Sequence, residues 1–164
     1  MKKMVIASLL VLGLASVALA QIDVNMAFDP AVAAPGDQVT FFTSIANLGD
    51  EDVIADIAVT VAFADYTFGP VEGQLPLAAG QELSREFTFM VPPLPYGGTL
   101  TITVTATAGD FTDTATATLT VEVPEGGQGD PSNIDAIGEQ ILNELQGTLP
   151  AQELSFSNLK ALYR

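Results

Sequence analysis

Two stretches of this chain alternate without a fault. Leu100, Ile102, Val104, Ala106 and Ala108 take every second place among Thr99, Thr101, Thr103, Thr105 and Thr107. Ala115, Ala117, Leu119, Val121 and Val123 do the same among Thr114, Thr116, Thr118, Thr120 and Glu122. A period of two places apolar side chains on one face of an extended strand and hydroxyls on the other; a helix would scatter both around its axis. Threonine is β-branched and suits a pleated face turned to water. Gly109-Asp110 between the runs is a turn signal, so the two form a hairpin. A sheet with one apolar face must bury that face against a second layer.

The same rule governs most of the chain before them. Val39, Phe41 and Ile45 share a face of a strand over 38–47, and Ile57, Val59, Val61 and Phe63 of one over 53–63. Leu83, Phe87, Phe89 and Val91 mark another, with Arg85 on the same parity and so near an edge. Ile22, Val24 and Met26 begin the domain, and Pro70 and Pro76 confine a short strand at Val71–Leu77 to a sheet edge. Turn chemistry separates the runs at Pro35-Gly36-Asp37, Leu48-Gly49-Asp50, Ala79-Gly80-Gln81 and Tyr96-Gly97-Gly98. About seven short strands without crossover helices predict an all-β, antiparallel two-sheet sandwich and exclude a parallel α/β fold.

These residues resemble the Ig-like domains of bacteria and archaea of the CARDB and related type. Pro35-Gly36-Asp37-Gln38-Val39-Thr40-Phe41 followed by Asn47-Leu48-Gly49 is similar to their opening strand and turn. Leu77-Ala78-Ala79-Gly80-Gln81 before Phe87-Thr88-Phe89, and the closing strand over 114–121, also match that pattern. The resemblance covers residues 22–123 and is carried by turn and strand signals. It implies an Ig-like sandwich serving adhesion, spacing or surface display. Such domains mostly occur as repeats in large surface proteins, whereas this sequence holds one.

The N-terminus decides the compartment. Lys2 and Lys3, an uncharged apolar stretch from Met4 to Val17, and Ala18-Leu19-Ala20 have the three parts of a secretory signal peptide, cleaved before Gln21. A membrane span would need about 20 apolar residues, and no other stretch comes near that. The expected product is secreted or periplasmic, with no transmembrane segment.

Export carries away two of the five basic residues and none of the 20 acidic ones, leaving Arg85, Lys160 and Arg164 as the only cations. So acidic a chain repels nucleic acid and anionic lipid. It has no cysteine for a disulfide in an oxidising compartment, so its fold rests on its core. Without histidine or cysteine, imidazole catalysis and the conventional zinc, copper, haem and iron–sulfur sites are closed to it. Carboxylate chemistry and calcium remain.

Past Val123 the pattern changes. Residues 124–133, PEGGQGDPSN, read as a Pro/Gly-rich linker. Ser132 and Asp135 have capping-box spacing, and Ile134, Ile137, Ile141, Leu142 and Leu145 line one face of a helix ending near Gly147. Leu154, Phe156, Leu159, Leu162 and Tyr163 form a second apolar cluster, so residues 134–164 are expected as an amphipathic helical tail. It has two readings: a helix folded back over an open sheet face, or a docking tail that binds a partner through Ile134, Ile137, Ile141, Leu145, Phe156, Leu159, Leu162 and Tyr163. The expectation drawn from the linker is that residues 22–123 fold alone.

No catalytic residues or cofactor are expected. Asp50, Glu51, Asp52 and Asp56 are the densest acidic cluster and the candidate calcium ligands, set against a solvated turn; no EF-hand spacing is present. Asp110 and Asp113 form a lesser acidic pair. A glycosidase needs two carboxylates facing across a cleft, and a bare sandwich without tryptophan offers little to hold a sugar. Tyr96 reads as a corner tyrosine in preference to an exposed contact. Leu149-Pro150-Ala151 opens like a sorting signal but continues as Gln152-Glu153. The expected function is an exported, non-catalytic interaction or adhesion module with a protein or cell-surface partner. The alternative is a subunit of a surface assembly that polymerises through edge strands or the tail. A small carbohydrate-active enzyme is the remote third.

Overall fold

The computed structural model describes residues 21–124 and 129–146. Eight strands come first: β1 Ile22–Asp29, β2 Val32–Ala33, β3 Gln38–Asn47, β4 Val53–Phe63, β5 Tyr66–Leu77, β6 Glu82–Met90, β7 Gly98–Ala108 and β8 Phe111–Val121. One helix, α1 Ser132–Gln146, follows. The strands form a three-stranded sheet of order β1-β3-β6 and a five-stranded sheet of order β2-β8-β7-β4-β5. Pairing is antiparallel except for the two-residue contact of β2 with β8, which is parallel. The chain crosses between sheets at β1 to β2, β2 to β3, β3 to β4, β5 to β6 and β6 to β7. The pairs β3–β6 and β4–β7 thereby interlock face to face, which makes this an Ig-like sandwich.

Alternation puts the core where the pattern predicts. Val39, Phe41, Val61, Phe63, Leu100, Ile102 and Leu119 are fully buried between the sheets. The hairpin of β7 and β8 pairs eleven residues in unbroken register, from Gly98 opposite Val121 to Ala108 opposite Phe111. Pro35-Gly36-Asp37 closes a turn: the Gly36 N–H donates to Val91 O at 2.8 Å, and Asp37 Oδ2 accepts from the Ala34 N–H at 2.8 Å. β5 is the outer strand of its sheet, as Pro70 and Pro76 require.

Three strands cannot cover five. β1 of the three-stranded sheet lies against β8 and β7, and α1 packs over β4 and β5 at the other side of the five-stranded sheet. Ile134, Ile137, Ile141, Leu142 and Leu145 are at most 5% exposed and belong to the same core as the strands. Two glycines allow the close fit. A Cβ on Gly138 would lie 2.6 Å from the Phe68 ring, and one on Gly129 would overlap the Leu94 backbone. The helix start is pinned by the Asn133 side-chain amide, which donates to Pro93 O at 2.7 Å.

Helix capping differs from the expected box. Asp130 is the cap: its Oδ1 accepts from the Ser132 N–H at 2.9 Å, and Pro131 takes the first helical position, where a missing N–H costs nothing. That backbone bond, with a lesser one from the Ser132 hydroxyl, holds the exposed Asp130 carboxyl below the usual carboxylate range.

Candidate functional surfaces

The acidic turn is built around an asparagine. Asn47 is fully buried, the one buried polar residue among those described. Its Nδ2 donates to Glu51 O at 2.7 Å and Ala78 O at 3.1 Å, and its Oδ1 accepts from the Gly49 N–H at 3.0 Å. The β3–β4 and β5–β6 turns are thus tied together, and Asp52 Oδ1 adds a bond from the Ala79 N–H at 3.0 Å. Asp56 sits farther along, on the outward face of β4, where its Oδ1 accepts from Gln74 Nε2 of β5 at 2.9 Å. Asp50, Glu51, Asp52 and Asp56 are therefore not brought together, and among the described residues no three acidic side chains gather to hold a metal. Asp113 also has a structural bond: its Oδ2 accepts from the Val24 N–H of β1 at 2.7 Å and ties the edge of one sheet to the other.

The apolar face proposed for partner docking needs correction. Ile134, Ile137, Ile141 and Leu145 point into the sandwich and offer nothing to an outside partner. Of the two readings of the tail, the structure has the helix folded back, for the physical reason given by the unequal sheets. The expectation of a core complete without the helix falls with it. Phe156, Leu159, Leu162 and Tyr163 lie outside the described residues.

At the sandwich end where β4 turns into β5, a surface emerges that the sequence reading missed in part. Tyr66 and Tyr96 are 39% and 42% exposed, one at the start of β5 and the other in the β6–β7 loop. Tyr96 lies nearly parallel to the buried Phe63 ring, centroids 6.2 Å apart at 20°. Phe63 is in turn held against Gly98, where any Cβ would crowd its ring. Partial desolvation raises the Tyr96 hydroxyl above its usual range, and Tyr66 and the Asp65 carboxylate beside it push the same way. Tyr96 is thus partly exposed, with its ring lying along that of the buried Phe63. Tyr66 escaped notice because the Val71–Leu77 pattern suggested a later strand start.

The two outer faces differ. On the five-stranded sheet, β7 and β8 set five threonine pairs side by side, from Thr99 opposite Thr120 to Thr107 opposite Thr112. Hydroxyls of Thr105 and Thr114, and of Thr107 and Thr112, are 3.0 Å apart, a ladder that orders the surface. The outer face of the three-stranded sheet forms an open concavity of about 530 Å³ around the 39% exposed Phe42, with Asn25, Ser84 and Glu86 on its walls. Among the described residues no helix is long and apolar enough to cross a membrane.

No family model matches the chain, and no curated protein is similar to it. Several solved structures share part of the architecture. The CARDB domain of PF1109 from Pyrococcus furiosus, in complex with di-metal ions, is 18% identical over 64% of this chain and 96% of that one, with a TM-score of 0.42. Its solution structure gives 19% identity, 64% and 97% coverage, and a TM-score of 0.43. A β-glucosidase from Listeria innocua in complex with glucose is 14% identical, with a TM-score of 0.43 over 63% of this chain. This chain spans only 16% of that enzyme's length. At such distances these likenesses bear on neither activity nor metal binding here.

Proposed function

We propose that this protein is an exported, non-catalytic Ig-like module of the cell envelope or extracellular space, which holds a protein or cell-surface partner at the tyrosine-bearing end of its sandwich. The observation that carries this reading is the Tyr66–Tyr96 pair. Two amphipathic rings are presented to solvent, and one of them rests on a buried phenylalanine. Tyrosines of this kind supply large contact area at little entropic cost and are enriched in interfaces. Loops at the ends of Ig-like sandwiches are also where such folds place their contacts. The signal-peptide pattern at residues 1–20 supports export, and the acidic surface keeps the module soluble and away from nucleic acid.

The test is binding of the purified protein to envelope extracts of the producing cell, compared with Tyr66→Ser/Tyr96→Ser. Retention of a defined partner by the native protein and its loss in the variant, with the melting temperature held, supports the reading. Equal retention by both sinks it. The second reading, a subunit that polymerises through an edge strand, is favoured by the outer edge of β6, which no described strand covers. Sedimentation over a range of concentrations separates the two.

A further inference from the structure

A sheet edge is a template for another strand unless something blunts it. Three of the four edges in this sandwich are blunted. On β1 the Val24 N–H is taken by Asp113 Oδ2 of β8 at 2.7 Å. β5 carries Pro70 and Pro76, and its pairing with β4 shifts register between Val59 and Val61. β2 has only two residues. β6 differs from all three: it is nine residues long and holds no proline. It runs against β3 in unbroken register, from Glu82 opposite Ala46 to Met90 opposite Gln38, with no described strand on its other side.

Two side chains mark the inner face of that edge. Leu83 is 36% exposed and, with Ile45, Leu75 and Leu145, walls a groove of about 100 Å³. That is less than the roughly 150 Å³ that holds a benzene, and suits one aliphatic side chain. Arg85, two residues on and in the lining of the same groove, is exposed and is the only cation among the described residues. Its guanidinium has no hydrogen bond or ion pair with any of them. An inward-facing charge on an edge turns away a wholly apolar strand and admits one that brings the opposite charge.

We propose that β6 accepts an extended segment of a partner protein as a fourth strand, with an aliphatic side chain in the groove beside Leu83 and, two residues along, a carboxylate on Arg85. Backbone bonds to the open edge supply affinity, and the two alternate side chains supply selection. The segment's intervening residues meet Ser84 and Glu86 on the outer face and are therefore neutral or basic. The β6 of a second copy does not fit this description. In a pairing that continues the sheet, inward residues meet inward ones, and Glu82 and Glu86 face outward. This surface is separate from the tyrosine-bearing end: Leu83 and Arg85 lie near the start of β6, whereas Tyr96 follows its end.

The probe is the peptide Thr-Leu-Thr-Glu-Thr-Val-Thr, blocked at both ends, whose inward face reads apolar-acid-apolar in either strand direction. Titrated into residues 21–164, it should bind several-fold more tightly than its Glu→Lys counterpart and slow the exchange of the β6 amides that face away from β3. In Arg85→Glu the preference between the two peptides should reverse, and unchanged exchange of the β3-facing amides shows that this variant is folded. No binding of the acidic peptide, or the same preference in both proteins, overturns the proposal. So does slow exchange of the edge amides without peptide. At every protein concentration it would mean that the chain covers its own edge, and rising with concentration, that a second copy does.

Discussion

Gly138 of α1 meets the ring of Phe68 on β5 so closely that a single methyl group would not fit between them. Helix and sheet are therefore matched in shape, and the fit predicts an inverted mutational effect. Gly→Ala within a helix ordinarily gains about 1 kcal/mol. Here Gly138→Ala should destabilise by about 1–3 kcal/mol through overpacking. Phe68→Leu should relieve part of that loss in the double variant. Chemical denaturation of the four proteins measures the coupling, and additive effects would deny the contact.

Asn47 predicts a second loss. Replacing it with alanine leaves Glu51 O, Ala78 O and the Gly49 N–H without their partner. Each unsatisfied buried group costs about 1–3 kcal/mol, so Asn47→Ala should lower the denaturation midpoint sharply. Asn47→Asp, though isosteric, turns a donor toward two carbonyls into an acceptor and should be no better. Midpoints near that of the native protein would show that the two turns do not depend on this residue.

The Asp130 cap predicts a pH dependence with a definite sign. Its carboxyl is held below the usual range by the Ser132 N–H, so the charged form is favoured in the folded state. The stabilisation is present above the unfolded carboxyl's range and is lost as pH falls through the folded one. Asp130→Asn keeps a capping oxygen but does not titrate. The melting-temperature gap between native protein and variant should shrink on acidification. A gap that is constant or grows would contradict the cap.

Calcium should not stabilise the protein. Asp52 and Asp56 already accept hydrogen bonds at separate places, and the acidic side chains do not converge. An ion bound at about 100 times its dissociation constant would add about 2.7 kcal/mol. Thermal unfolding in millimolar calcium should match that in chelator. A large upward shift, abolished by Asp50→Asn/Asp52→Asn, would establish a site.

The fold was legible wherever alternation ran long. β3 and β4 occupy the very residues 38–47 and 53–63 that the pattern marks, because each buries one face and a slip by one residue would turn its apolar set to water. β2, with two residues, is too short to carry a period. Asp130-Pro131 gave the helix start a better cap than Ser132, and proximity in sequence to the apolar run had favoured the latter. The apolar stripe of α1 is legible in the sequence, but its spacing leaves two destinations open, of which the structure has the helix folded back on its own sheet. An amphipathic face has the same spacing whether it covers a foreign partner or its own sheet. Only the count of strands in each sheet reveals the gap that the helix fills. Tyr66 and Tyr96 belong to separate turns, and the topology alone brings them to one end.

The helix as part of the core is the claim on which the account turns, and truncation after Pro124 tests it most directly. Each of its five buried side chains is worth about 1.5–3 kcal/mol, and Val71 and Leu75 lie on the strand it covers. Calorimetry of residues 21–124 against residues 21–164 should find the cooperative transition lost or its midpoint well below that of the longer chain. A cooperative transition at an unchanged midpoint would contradict the account and make the helix an appendage.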